Sequence, residues 1–208
     1  VAESITVDFQ EDAGPTTGYQ TIATYIRSAA TSMDSNYGNA NRILTGRLSA
    51  TDVTRSVLGF DISHIPEGAI IESVTLTLVS RGRDSSSLSV NRTLRLHQLT
   101  TPIMEGDGTY GPSWNSSEIG TDPDTAWTTS GGDYYGDFFD GSVGELTRSV
   151  GLNPNTIAAG TEVTFPSKDP FVAAAQDALD GDGSLYLLLF ASSELTVADI
   201  RVASEVPV

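Results

Sequence analysis

The sequence predicts an all-β protein, an antiparallel two-sheet β-sandwich of the jelly-roll type with one short helix, formed by residues 1–208 as a single domain. Three observations support this prediction. Many short segments alternate apolar and polar residues, which is the pattern of strands with one buried face. Glycine, Asn and Asp residues that favour turns separate these segments. Helical periodicity is confined to one segment, so strands must supply most of the core.

The first four predicted strands occupy residues 4–9, 21–27, 42–46 and 54–60. The first alternates strictly, with Ile5 and Phe9 on one face. The clearest strand follows at residues 71–81, where Leu76 and Leu78 point to one side. A similar strand covers residues 88–99. In it Leu94 and Leu96 lie opposite Arg95 and His97, which places His97 on the outward face.

A long loop with few strand signals spans residues 102–140. Late strands are predicted at residues 160–165, 185–190 and 199–206. The one predicted helix covers residues 169–179, because Pro170 suits a first helical turn and a run of alanines follows. It ends at the Asp-Gly-Asp-Gly sequence of residues 180–183, a strong stop signal.

The charge of the chain limits its partners. Acidic residues outnumber basic ones by 27 to 11, which gives a net charge of −16. Such a field repels phosphate and anionic lipid, so we expect neither a nucleic-acid nor a membrane partner. Eight of the eleven basic residues, all arginines, lie within residues 27–95. Cysteine is absent from the sequence, which removes disulfides and thiol catalysis.

No arrangement of residues predicts an enzyme. The two histidines, His64 and His97, adjoin neither a Gly-x-Ser-x-Gly motif nor a second histidine at metal-binding spacing. We interpret both as ordinary turn or surface residues. Paired carboxylates for glycoside cleavage depend on a three-dimensional distance, so the sequence leaves a hydrolase or lyase open without placing its acid and base.

Asp180 and Asp182 are the predicted metal ligands, since two carboxylates on a glycine-flexed loop suit the oxygen coordination of a structural Ca²⁺. The segment lacks the further Asx and the closing Glu of an EF-hand. The same residues also fit a helix end followed by a turn, which is the commoner role. Asp133, Asp137 and Asp140 form a second acidic cluster in the long loop.

Aromatic residues in the long loop offer one way to bind a sugar. Aromatic faces stack on the C–H faces of sugar rings, yet a long loop also buries such residues as a core of its own. We expect Trp114 and Trp127 to be buried. Tyr134 and Tyr135 are neighbours, so in an extended segment they face opposite ways and one of them is exposed.

The arginine side chains offer another way to bind a sugar. Arg81 and Arg83 share a strand face if their strand continues. Guanidinium groups pair bidentately with carboxylates or sulfates, so several on one sheet could bind an acidic polysaccharide despite the net charge of −16. Scattered salt bridges to nearby Asp and Glu are the alternative.

An ordered series of short motifs extends over nearly the whole chain. It includes Val-Asp-Phe-Gln at 7–10, Ala-Thr-Tyr-Ile-Arg at 23–27, Asn-Tyr-Gly at 36–38, Arg-Ser-Val-Leu-Gly-Phe-Asp-Ile at 55–62 and Ile-Pro-Glu-Gly-Ala at 65–69. This series resembles the DNRLRE-type domain, a family that overlaps carbohydrate-binding module family 96. Ala23 stands where an Asp is usual in the family, so any ligand or metal contact of that Asp is missing here.

The resemblance implies a secreted, noncatalytic jelly-roll module of larger extracellular proteins from bacteria or archaea. It also implies binding of anionic glycans such as alginate by basic residues along one sheet. The positions that match the opening motif are Arg27, followed by Arg42 and Arg47.

The sequence therefore predicts a carbohydrate-binding module of a secreted or cell-surface multidomain protein. Its predicted glycan-contacting residues are Tyr25, Arg27, Arg42, Arg47, Arg81, Arg83 and Tyr135. The alternative is a structural or adhesive surface domain, stabilised by Ca²⁺ and without a glycan ligand.

Overall fold

The computed structural model describes residues 4–82, 91–120, 123–136, 144–153, 156–191 and 198–203, the last of these by their main chain alone. Within these residues the chain forms eleven strands and one helix. In chain order they are β1 (Ile22–Arg27), β2 (Ile43–Ser49), β3 (Asp52–Asp61), β4 (Leu76–Arg81), β5 (Arg92–Gln98), β6 (Ser116–Glu118), β7 (Thr125–Ala126), β8 (Glu145–Leu152), β9 (Ala159–Phe165), α1 (Asp169–Asp180), β10 (Ser184–Ala191) and β11 (Ala198–Ala203). The predicted all-β class with a single helix is confirmed for this part of the chain.

Nine of these strands form one antiparallel sheet in the order β8-β5-β10-β3-β2-β11-β4-β9, with β1 paired to β3 beside this path. Strand β3 is the centre, because it pairs with β1, with β2 and with β10. It therefore joins two arms of the sheet: one made of β10, β5 and β8, and the other of β2, β11, β4 and β9. Strands β6 and β7 form a separate hairpin.

The first hydrophobic core lies between the two arms. Leu96 and Leu187 from one arm belong to the same buried cluster as Leu78 and Val163 from the other. The two arms therefore face each other across this core. Helix α1 contributes Phe171 and three buried alanines to the same cluster.

A second hydrophobic core lies on the opposite side of β10. Because strand side chains alternate between faces, Leu187 enters the first core while Leu188 and Phe190 enter the second. The loop after β5 covers this side with Ile103 and Trp127. The burial of Trp127, which is 6% exposed, confirms that the loop packs aromatic residues against the sheet.

Asn36 fixes the covering loop to the segment between β1 and β2. Its carboxamide nitrogen donates to the carbonyls of Glu105 (3.1 Å) and Pro112 (3.0 Å). Its oxygen accepts from the N–H groups of Gly38 (2.9 Å) and Gly108 (3.0 Å). These four bonds use the full hydrogen-bonding capacity of the buried side chain.

Two predicted strands need correction. Residues 4–9 form no strand. Phe9 packs partly buried against the first core, as the alternation indicates, but Ile5 of the same predicted face is 69% exposed. The strand predicted at residues 71–81 begins only at Leu76. The N–H of Ile71 donates to Gln176 Oε1 (2.9 Å) and that of Val74 to Ser167 Oγ (3.2 Å), so side chains take the place of a neighbouring strand there.

Strand β8 and the β6-β7 hairpin were not predicted. In β8 the polarity pattern is inverted, since Ser149 is buried while Val150 is 64% exposed. Two register shifts against β5 also break the period of two on which strand prediction depends. The hairpin lies within the predicted loop of residues 102–140, and its strands are too short to produce a pattern.

Candidate functional site

Arg27 is held by an ion pair. Its Nε donates to Asp52 Oδ1 (2.9 Å) and its Nη2 donates to Oδ2 (2.5 Å), in a fork typical of arginine and carboxylate. The hydrogen bonds that Arg27 donates to Asp52 raise the pKa of Arg27, so the group is always protonated. Because Asp52 already compensates this charge, Arg27 adds little to an anion-binding surface.

Tyr25 does not offer an open stacking face. It is 7% exposed, and its ring stacks on Tyr37 with 4.3 Å between ring centroids and 16° between planes. The hypothesis that Tyr25 stacks on a sugar is therefore wrong for this conformation. The ring helps to hold the 28–42 segment against β1 instead.

The other predicted arginines occupy different positions. Arg47 donates from Nε to the carbonyl of Ser49 (2.9 Å) and from Nη2 to that of Ala50, and so holds the turn between β2 and β3. Arg81 is exposed, and its Nη1 donates to the main-chain and side-chain oxygens of Asn41 at 3.1 and 2.8 Å. Arg42 is half-buried. Arg83 lies outside the described residues.

The register of three neighbouring strands brings Arg42, Arg81 and Arg201 together. Val202 of β11 pairs with Ile43 of β2 on one side and with Ser80 of β4 on the other. Arg42 precedes Ile43, and Arg81 follows Ser80. Continuing the antiparallel register by one residue therefore places Arg201 opposite Arg81, about 5 Å away across the strands.

Arg81 and Arg201 lie at positions on one side of the sheet, and Arg42 adjoins them in the bend just before β2. Ile43 and Leu78 point into the first core, so the alternate positions, including Arg81, lie on the side away from it. We call the set Arg42, Arg81 and Arg201 the arginine face. Beyond it, Thr77 of β4 lies opposite Thr164 of β9, which adds exposed hydroxyl groups to the same side. The sequence indicates the arginines of residues 27–95 but not Arg201, because only long-range pairing brings Arg201 to this face.

Tyr135 is separate from the arginine face. It is 70% exposed, which confirms that one of the two adjacent tyrosines faces solvent. Its N–H donates to the carbonyl of Gln98 at the end of β5 (2.9 Å). Because β5 belongs to the opposite arm, Tyr135 does not form one binding surface with the arginine face.

Asp180 and Asp182 make local contacts at the end of α1. Asp180 Oδ1 accepts from Gln176 Nε2 (2.9 Å), and Asp182 Oδ1 accepts from the N–H of Ser184 (2.9 Å). Among the described residues, no group of three or more His, Asp or Glu side chains is close enough to hold a metal ion. These contacts fit the helix end and the turn that the sequence also allowed.

His97 is buried, contrary to the prediction of a surface histidine. It is 0% exposed and lies against Phe190 (ring centroids 4.8 Å apart) and Tyr134 (5.2 Å). Its Nδ1 lies 3.1 Å from the carbonyl of Tyr135, and since a carbonyl only accepts, this nitrogen carries the proton. Alternation gave the correct face of β5, but the long loop covers that face.

Arg55 occupies the same covered region. Its guanidinium carbon lies 5.1 Å from the centre of the Trp114 ring and 5.6 Å from that of Phe190. Nη1 donates to the carbonyl of Gly131 (2.7 Å), and the residue is 3% exposed. These cation–π contacts and the hydrogen bond stabilise the loop on the sheet, so Arg55 is structural and is closed to a ligand.

Comparison of the chain with protein-family models and with curated proteins found no match. Within the described residues, no helix has the length and apolar composition that crossing a membrane requires. The case for a function therefore depends on the arrangement of the residues themselves.

Proposed function

We propose that this chain is a noncatalytic polysaccharide-binding domain that binds an acidic glycan at the arginine face. The observation that carries the proposal is the strand register, which places Arg42, Arg81 and Arg201 on three neighbouring segments at one end of the sheet. Carboxylates or sulfates repeated along a glycan match several guanidinium groups in a row. The remainder of the molecule is strongly acidic, so such a ligand would be repelled elsewhere.

The wider features of the proposal follow the resemblance to the DNRLRE-type domain. A two-sheet sandwich of jelly-roll type is supported by the two arms that share the first core. We propose that the domain is a module of a secreted or cell-surface protein. A structural Ca²⁺ at Asp180 and Asp182 belongs to the same proposal, and a Ca²⁺-stabilised adhesive domain without a glycan is the alternative.

Affinity electrophoresis in alginate, a sulfated glycan and a neutral glucan tests the proposal. We expect retardation in the acidic glycans only. Arg81→Gln should weaken binding about tenfold, because a hydrogen bond between charged partners is worth about 1.5–3 kcal/mol. Lys168→Gln is the matched control, because it also removes one positive charge from an exposed residue. Lys168 lies just before α1 and follows the end of β9, whereas Arg81 pairs with the start of β9.

Two outcomes would contradict the proposal. Equal retardation of Arg81→Gln and Lys168→Gln would remove the arginine face as the site. If no glycan retards the protein while Ca²⁺ raises its melting temperature, the structural-domain alternative is favoured.

A further inference from the structure

A glycine on β3 lies between two large side chains on the side of the sheet that carries the second core. Register places Gly59 between Ile22 of β1 and Tyr186 of β10. A Cβ atom on Gly59 would lie 3.0 Å from Ile22 Cδ1 and 3.1 Å from Tyr186 Cδ1. Ile22 and Tyr186 therefore pack closely over this part of β3, an approach that a glycine in a strand permits.

Tyr186 lines two separate hollows in the surface of the protein. The first, of about 110 Å³, lies between Gly59, Gln20 and Asp61. The second, of about 290 Å³, lies beneath the covering loop between Met104 and Glu118, and is near the lower end of the size of ligand pockets. We call the two together the Tyr186 groove. It lies over β1, β3 and β10, away from the arginine face on β2, β11 and β4.

The lining of the Tyr186 groove selects against anions. Among the residues that the structure describes, no lysine, arginine or histidine lines either hollow, whereas each hollow is bordered by a carboxylate, Asp61 in one and Glu118 in the other. Hydrogen bonds from Ser63 keep the pKa of Asp61 below its usual value, so Asp61 is negatively charged at neutral pH. An acidic glycan would therefore meet like charges here.

The residues that line the Tyr186 groove provide an apolar surface and hydrogen-bonding groups, both of which a neutral sugar needs. Tyr186 provides an aromatic surface, and Ile22 and Met104 extend its apolar area. Carboxylate, amide and hydroxyl groups stand around it, including those of Gln20 and Thr125, and such groups exchange hydrogen bonds with sugar hydroxyls. We propose that the Tyr186 groove binds a neutral oligosaccharide, as a second site that is independent of the acidic-glycan site.

Titration of the ¹⁵N-labelled full chain with cellohexaose, xylohexaose and mannohexaose, followed by NMR, tests this proposal. We expect at least one of these sugars to shift the amide signals of Gly59, Ser184 and Met104. Gly59→Ala adds a methyl group 3.0 Å from Ile22 Cδ1 and 3.1 Å from Tyr186 Cδ1, and so displaces two side chains that line the first hollow. Tyr186→Leu removes the ring. Each should weaken binding about tenfold, which corresponds to about 1.4 kcal/mol.

Tyr135→Leu is the matched control, because it removes an exposed tyrosine that does not line the groove. It should bind as the unchanged protein does. Gly59→Ala keeps the test decisive if Tyr186→Leu fails to fold. Absence of shifts with all three sugars, or unchanged binding by folded Gly59→Ala, would overturn the proposal. Retardation in alginate reports the arginine face separately, so the two sites succeed or fail independently.

Discussion

Tyr19 shows how burial couples the ionisation of one side chain to folding. It is 5% exposed, and its hydroxyl donates to the carbonyl of Asp61 (3.0 Å). Burial raises the pKa of Tyr19 to about 12, and the charges of Asp61 and Glu11 add to the shift. The native protein therefore keeps this proton at pH values where the unfolded chain, with a pKa near 10, loses it.

We expect Tyr19 to make the protein less stable as the pH rises from about 10 to about 12. Below this range both states hold the proton, so the contribution of Tyr19 is fully present. Within it only the unfolded state ionises, which lowers the free energy of unfolding by up to about 1.4 kcal/mol per pH unit. Urea unfolding across this range should show a shallower decline for Tyr19→Phe. Parallel declines in the two proteins would contradict the expectation.

The burial of Arg55 and His97 could not be predicted from the sequence. Alternation along β5 correctly places His97 on the opposite face from Leu94 and Leu96. A side chain that points away from one core is not necessarily exposed to solvent, and His97 is buried. Both faces of β5 and β10 are covered, because the loop after β5 returns over the sheet. Whether a long loop covers a sheet depends on tertiary packing, and no local period reports it.

At the scale of elements, α1 supports the segment before β4. Gln176 accepts from the N–H of Ile71 (2.9 Å) and donates to the carbonyl of Ala69 (3.2 Å). The side chain thus satisfies main-chain groups that a strand partner would otherwise bind. This contact explains why the predicted strand of residues 71–81 loses its first half.

Gln176→Leu should lower the free energy of unfolding by about 1–2 kcal/mol, because it leaves two main-chain groups without their partner. Hydrogen exchange at the Ile71 amide should become faster at the same time. Ala173→Leu is the control, because it introduces a leucine at an exposed position of the same helix without changing the charge, and it should change neither quantity. A Gln176→Leu protein with unaltered stability and exchange would show that water replaces the side chain without cost.

The sequence correctly located the strands and the helix whose residue pattern is distinctive over a short stretch of chain. The apolar alternation of β1, β3, β9 and β10 and the Pro170 start of α1 are local properties, and these elements agree with prediction within a few residues. Strand β8 is held by its pairing with β5 through two register shifts, and it buries Thr147 and Ser149. The formation of such a strand depends on its pairing with a neighbouring strand more than on its own pattern of polar and apolar residues.

At the scale of the whole molecule, the arginine face arises from topology. Arg42, Arg81 and Arg201 come from distant parts of the chain, and β11 brings the last of them between β2 and β4. The sequence indicated a region rich in arginine but not which members converge. Arg27 and Arg47 belong to that region, yet the charge of Arg27 is compensated by Asp52, and Arg47 lies at the turn between β2 and β3.

The net charge of −16 gives added salt two opposite effects. Screening reduces the repulsion among carboxylates of the folded protein, so we expect the melting temperature to rise between roughly 20 and 300 mM NaCl. The same screening weakens attraction between the arginine face and a polyanion, so retardation in alginate should decrease. A melting temperature that does not rise would contradict the first expectation, and salt-independent retardation would contradict the second.

A comparison of CaCl₂ with NaCl distinguishes charge screening from specific binding of Ca²⁺. At equal ionic strength, a melting temperature higher in CaCl₂ than in NaCl indicates a bound ion, since a ligand of the native state stabilises it by mass action. Asp182→Asn should remove that difference if Asp182 is a ligand. Asparagine keeps an acceptor for the N–H of Ser184, which lies 2.9 Å from Asp182 Oδ1, so the turn itself is preserved. A difference that persists in Asp182→Asn would place the ion elsewhere, and no difference between the salts would leave screening as the full explanation.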